Sequence, residues 1–130
     1  MNGRFLIDTN IAIGLLKGDE AITSRIDSQM RLYLPAVAVG ELLFGAYRSG
    51  RVQQNLERVE SLTRQLPVLS CDLATADEYG MLKHELRKKG RPVPDNDIWV
   101  AAISQQHKLT LITRDQHFRE FGSLKADFWP

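Results

Sequence analysis

Cysteine is almost missing from this 130-residue chain: Cys71 stands alone, which excludes an intramolecular disulfide framework and fits a reducing compartment. Long apolar runs are missing too. Nothing approaches the ~20 consecutive apolar residues of a membrane span, and the opening MNGRFLIDTN has an apolar stretch of only Phe5–Ile7, too short for a signal peptide. A cytoplasmic protein without membrane attachment is therefore expected. No internal repeat, low-complexity tract or linker breaks the chain, so residues 1–130 are read as one domain of ordinary size. An excess of one charge is also lacking. The net charge of +1 does not by itself announce a nucleic-acid binder.

Against that background the periodicity is clear. Arg4–Ile7 reads as a short strand running into Asp8-Thr9-Asn10, residue types that cap helices, so a helix is expected to about Lys17, stopping at Gly18. Asp19-Glu20 opens a second helix with Ile22 and Ile26 on one face. Leu32–Leu34 reads as a strand closed by Pro35, and Ala36–Tyr47 as a buried helix. Val52, Leu56, Val59, Leu62 and Leu66 form a helical stripe ended by Pro67. After a strand at Val68–Leu69, Asp72 or Thr75 caps a helix with the stripe Ala76, Tyr79, Leu82 and Leu86, ending at Gly90. Pro92 and Pro94 lead into Asp95-Asn96-Asp97 and a helix to about His107, and Leu109–Thr113 is the last strand. Strands alternating with helices imply an α/β fold with a central parallel sheet flanked by helices. In such sheets ligands gather beyond the carboxyl ends of strands. Asp8 and Asp115 each follow a strand directly.

Four acids then stand out. Glu41 is the one charged side chain between Ala36 and Tyr47. In a buried helix an unpaired carboxylate costs several kcal/mol (roughly,), so it needs a cation, a core arginine or a function. Asp8, Asp97 and Asp115 each sit at an expected helix start, where an aspartate cap is worth about 1 kcal/mol and needs no catalytic purpose. For Asp97, however, Asp95 and Asn96 are already available as caps. Converging carboxylates repel one another unless a cation lies among them, and oxygen ligands select a hard ion. Setting those four aside leaves 17 basic residues against 12 acidic ones. Much of the surplus falls in two clusters: Arg48, Arg51, Arg58 and Arg64, then Lys83, Arg87, Lys88, Lys89 and Arg91. Both suit either solvated helix faces or a basic rim for a phosphodiester substrate.

The segments LIDTN (6–10), GELLFGA (40–46), GRPVPDNDIWVAA (90–102) and LTLITRD (109–115) fall in order along the chain, followed by LKADFWP at its end. With these intervals the sequence resembles PIN-domain nucleases, and in particular the VapC toxins of bacterial toxin–antitoxin pairs. The resemblance spans essentially the whole chain. It implies a PIN-like three-layer fold, often dimeric, and an Mg²⁺-dependent endoribonuclease in which Mn²⁺ also serves. Metal-activated water would hydrolyse the RNA phosphodiester bond, leaving a 5′-phosphate and a 3′-hydroxyl. It further implies Asp8 and Asp97 as metal ligands, Glu41 and Asp115 completing the acidic site, Thr113 orienting the last acid, and a small antitoxin as partner. Asp95 is auxiliary, since spacing to IWVAA favours Asp97 as the ligand. His84, His107 and His117 are read as surface or packing residues, Cys71 as buried, and Trp99 as core rather than a base-stacking platform.

Three other readings compete. A phospho-acceptor receiver domain also gathers acids at strand ends, but it wants an acidic pair after its first strand and a lysine after its last. Here those positions hold Asp8-Thr9-Asn10 and Arg114-Asp115. A DNA-directed flap nuclease wants a longer chain. A purely structural reading makes every acid a cap, and Glu41 is its weak point.

Overall fold

A computed structural model of the chain describes residues 3–130; the first two residues of the opening segment lie outside that range. Five strands, β1 (Gly3–Ile7), β2 (Met30–Pro35), β3 (Val68–Leu69), β4 (Thr110–Thr113) and β5 (Ala126–Phe128), form one parallel sheet in the order β3-β2-β1-β4-β5. Helices α1 (Thr9–Lys17), α2 (Glu20–Thr23), α3 (Ala36–Tyr47), α4 (Val52–Gln65), α5 (Leu73–Lys89) and α6 (Asp95–Gln106) supply the crossovers, with a 3₁₀ helix at Gln116–Glu120. The expected α/β architecture is the observed one.

Alternation along the strands builds two cores. Phe5, Ile7 and Ile112 point to one face of the sheet and pack with Ile11, Leu42 and Leu62 of α1, α3 and α4. Leu6 and Leu111 point to the other and meet Leu82, Leu86 and Ile98 of α5 and α6. Helices thus cover both faces, as a parallel sheet requires. None of them is long and apolar enough to cross a membrane.

Several expectations need correcting. Helix α2 is a single turn capped by Asp19, and Ile26 lies beyond it. Gly14 lets α1 approach α2: a methyl group there would sit 2.7 Å from Ile22 Cγ1. Helix α3 is not buried. Ala38, Leu42 and Ala46 are buried and Val37, Val39 and Leu43 pack half-buried against the cores, while Phe44 and Tyr47 are 62 % and 66 % exposed. Its largely apolar composition hides which side faces the protein. In α5 the inward residue is Thr75 rather than Ala76, because Thr75 closes a capping box with Asp72. Cys71 is exposed. Strand β5 carries no period-2 signal; pairing with β4 (Leu111 opposite Ala126, Thr113 opposite Phe128) makes it a strand.

Candidate active site

The chain builds outward from β1 to β3, then returns to place β4 and β5 on the other side of β1. That reversal leaves a crevice beyond the carboxyl ends of β1 and β4, where an open sheet binds its ligands. Asp8 and Asp115 stand on either side of it. The first turn of α6 brings Asp97, and α3 brings Glu41. All four line one cavity of about 350 Å³.

Their surroundings differ. Asp8 is buried, and it caps α1 by accepting from the Thr9 N–H at 2.9 Å. Its other oxygen accepts from the Thr113 hydroxyl at 2.7 Å. The same hydroxyl oxygen accepts from the Asp115 N–H at 3.0 Å, so one buried side chain ties the ends of β1 and β4 together. Asp115 caps the 3₁₀ helix through the His117 N–H at 2.9 Å. The capping account therefore holds for Asp8 and Asp115, without excluding a second role.

It fails for Asp97. Helix α6 begins after Pro94 and has no side-chain cap; Asp97 lies inside its first turn, 8 % exposed. Burial pushes its carboxyl up to about 6, the charges of Asp115 and Asp8 push the same way, and His117 opposes them. Burial likewise raises Asp8, against the hydrogen bonds from Thr113 and Thr9 and with the charges of Glu41 and Asp115. These acids repel one another in a partly dry site. Ion pairs made only for stability do the opposite to a carboxylate.

Two expectations change here. Glu41 is exposed at the mouth of the cavity, where Asn96 Nδ2 donates to its Oε1 at 3.2 Å. It belongs with the other acids, but the cost of burial does not explain it. Asp95 turns away from them. Its carboxylate accepts from Tyr79 Oη at 2.9 Å and pairs with Lys83 at 3.0 Å, because residues two apart in a helix point about 200° apart, to nearly opposite sides. It is not part of the acidic cavity. Trp99 stacks on Tyr79 with ring centroids 4.0 Å apart.

The sequence reading missed His117. Its Nδ1 lies 3.2 Å from Asp115 Oδ1 and 3.5 Å from Asp97 Oδ2. Its position two residues after a strand-end acid was the available signal. Ligand-capable atoms of Asp97, Asp115 and His117 all fall within 4.8 Å of one another. Thr9, on the same cavity wall, has a buried hydroxyl with no hydrogen-bond partner among the described residues. Mutually repelling carboxylates, an imidazole and an unpaired hydroxyl fit a divalent cation. The imidazole widens the choice of ion beyond what carboxylates alone would select.

Comparison with known proteins adds an independent line. The PIN domain family model matches residues 5–124. The chain is 30% identical over 129 residues to a "tRNA(fMet)-specific endonuclease VapC" of Shigella flexneri, covering 97% of this chain and 98% of that one. It is 31% identical over 130 residues to "Ribonuclease VapC1" of Haemophilus influenzae strain R2866, covering 96% and 97%. Among solved structures, a "DNA bound VapBC from Salmonella typhimurium" superposes with a TM-score of 0.88 at 29% identity, covering both chains completely.

Proposed function

The chain belongs to the PIN-domain family, and we propose that residues 1–130 form one PIN domain acting as an Mg²⁺-dependent endoribonuclease, the toxin of a toxin–antitoxin pair. One observation carries the reading: Asp8, Glu41, Asp97 and Asp115, from four separate segments, line one cavity at the switch point of the sheet, and Asp97 is held there without capping any helix.

Asp8 and Asp97 would hold the ion, with Asp115 as the third carboxylate and His117 within reach of it. Mg²⁺, or Mn²⁺ in its place, supplies Lewis-acid activation of the phosphodiester and of water. Thr113 fixes the rotamer of Asp8 through its hydroxyl, and the Thr9 N–H fixes the other oxygen, so this carboxylate is preorganised. Glu41 stands at the rim, oriented by Asn96, where it accepts a proton from the attacking water. The P–O3′ bond breaks, the departing 3′-oxygen takes a proton from solvent, and a 5′-phosphate and a 3′-hydroxyl remain.

The partner reading rests on α3 and on the cavity charge. Phe44 and Tyr47 are large exposed apolar side chains on α3, with Arg48 lying 5.3 Å over the Phe44 ring, and Ile13, 39 % exposed, lines a nearby cavity with Glu41 and Gly45. A homodimer partner or a small antitoxin would cover these side chains. An antitoxin arginine entering the cavity would bridge carboxylates bidentately and displace the cation. Such a pair works in the cytoplasm. The test is direct: purified chain cleaves RNA with Mg²⁺ or Mn²⁺ and stops with EDTA, and its expression alone arrests growth while Asp8→Ala does not. Cleavage that survives thorough chelation refutes the metal site. A harmless wild-type chain that still cleaves RNA refutes the toxin assignment.

A further inference from the structure

A cavity of about 570 Å³ lies apart from the acidic one. It lies between the end of α5 and the start of α6, with Lys83, Arg87 and Arg91 on its rim and Leu86, Val93 and Ile98 beneath them. The segment from Pro92 into the first turn of α6 is its shared wall with the acidic site: Val93 and Asp95 line the basic cavity, Pro94 and Asn96 the acidic one. The two therefore lie on opposite sides of one backbone segment, stiffened by Pro92 and Pro94. Gly90, at φ +65°, ends α5 in a left-handed turn that leads into this segment.

The charges around this cavity are mostly uncommitted. Lys83 is engaged by Asp95 and by Tyr79 Oη. Arg91 has only a loose, exposed contact to Glu120 at 3.7 Å, which stabilises little. The Arg87 side chain has no ion pair or hydrogen bond among the described residues. Two guanidinium groups over an apolar floor have the chemistry of a nucleotide subsite, charge for the phosphate and a hydrophobic surface for the base.

Resting on the ribonuclease reading, we propose that this cavity binds the RNA strand next to the scissile phosphate. Arg87 and Arg91 hold a neighbouring phosphate, and a base lies on Leu86, Val93 and Ile98. A strand crossing the segment from Pro92 to Asn96 meets both cavities. The basic cluster on α5 is then a substrate track, while the cluster on α4 is a solvated face.

The test compares R87A/R91A with R51A/R64A, which removes the same charge outside the cavity. Each is assayed on a long single-stranded RNA and on a dinucleotide too short to span both sites, and RNA binding is followed by fluorescence anisotropy over a salt series. For R87A/R91A, KM on the long RNA rises roughly tenfold with kcat unchanged. The slope of log affinity against log salt flattens by about 0.7 for each phosphate no longer held. Dinucleotide cleavage stays at the wild-type rate, and R51A/R64A behaves as wild type throughout. Equal losses in both double variants, or none in R87A/R91A, overturn the proposal. If the wild-type chain cleaves no RNA, the nuclease reading falls, and the anisotropy comparison still decides the cavity.

Discussion

Asp97→Asn separates a ligand from a structural residue through the pH dependence of stability alone. Unfolded, the carboxyl titrates near 3.8; in the fold it is pushed to about 6, by burial first and then by Asp115 and Asp8. Below 3.8 it is protonated in both states and the shift costs nothing. As pH rises from there towards about 6 the folded chain holds a proton that the unfolded chain has released, and stability is lost. At about 1.4 kcal/mol per pH unit the loss is roughly 3 kcal/mol by pH 8. Asparagine removes that loss but leaves an amide to satisfy, at about 1 kcal/mol. With EDTA present, Asp97→Asn is therefore expected to be more stable than wild type by about 1–2 kcal/mol at pH 8. At pH 4 the advantage vanishes. Saturating Mn²⁺ reverses the order, because a cation bound only by the folded wild type stabilises it. Urea unfolding followed by circular dichroism at pH 4, 6 and 8, with and without Mn²⁺, reads all of this. A variant equally destabilised at pH 4 and pH 8 in EDTA would show that Asp97 is an ordinary packing residue, and the repulsion argument would fail.

Thr113→Val keeps the shape but removes the hydroxyl shared by Asp8 and the Asp115 N–H; metal affinity by calorimetry is expected to fall roughly 10–100-fold and stability by about 1–3 kcal/mol. Unchanged affinity would mean that Thr113 does not orient Asp8. Gly14→Ala drives a methyl group into Ile22 and is expected to lower stability by about 1–3 kcal/mol, measured as a lower urea midpoint with an unchanged slope. Replacing Phe44 and Tyr47 together by Ser is expected to abolish self-association or antitoxin binding in sedimentation while leaving RNA cleavage intact; an assembly indifferent to both changes places the interface elsewhere.

The strand-end acids were legible because chain order carries them: Asp8 follows Phe5–Ile7 and Asp115 follows Thr110–Thr113, so a parallel sheet brings them near. That Asp97 need not be a cap was legible because Asp95 and Asn96 stand beside it as spare caps, although the actual helix uses neither. What pattern could not give was direction. An apolar α3 looks the same whether its outer face meets a core or a partner, and so Glu41 was singled out for a burial it does not have. Asp95 and Asp97 differ by two positions, yet one meets Lys83 and the other the acidic cavity. His117 joined the site through a 3₁₀ turn that has no periodic signature.

The bond from Thr113 to Asp8 spans 105 residues, and this separation sets an order in time. During synthesis β1 emerges first, but its sheet neighbour β4 follows only after β2 and β3. At roughly 5–20 residues per second, Asp8 waits about 5–20 s for the threonine and aspartate that complete its surroundings. Until then the acids are scattered along an open chain, and nothing holds them near a phosphodiester. The acidic cavity therefore takes shape only once Asp115 has been made, long after Asp8.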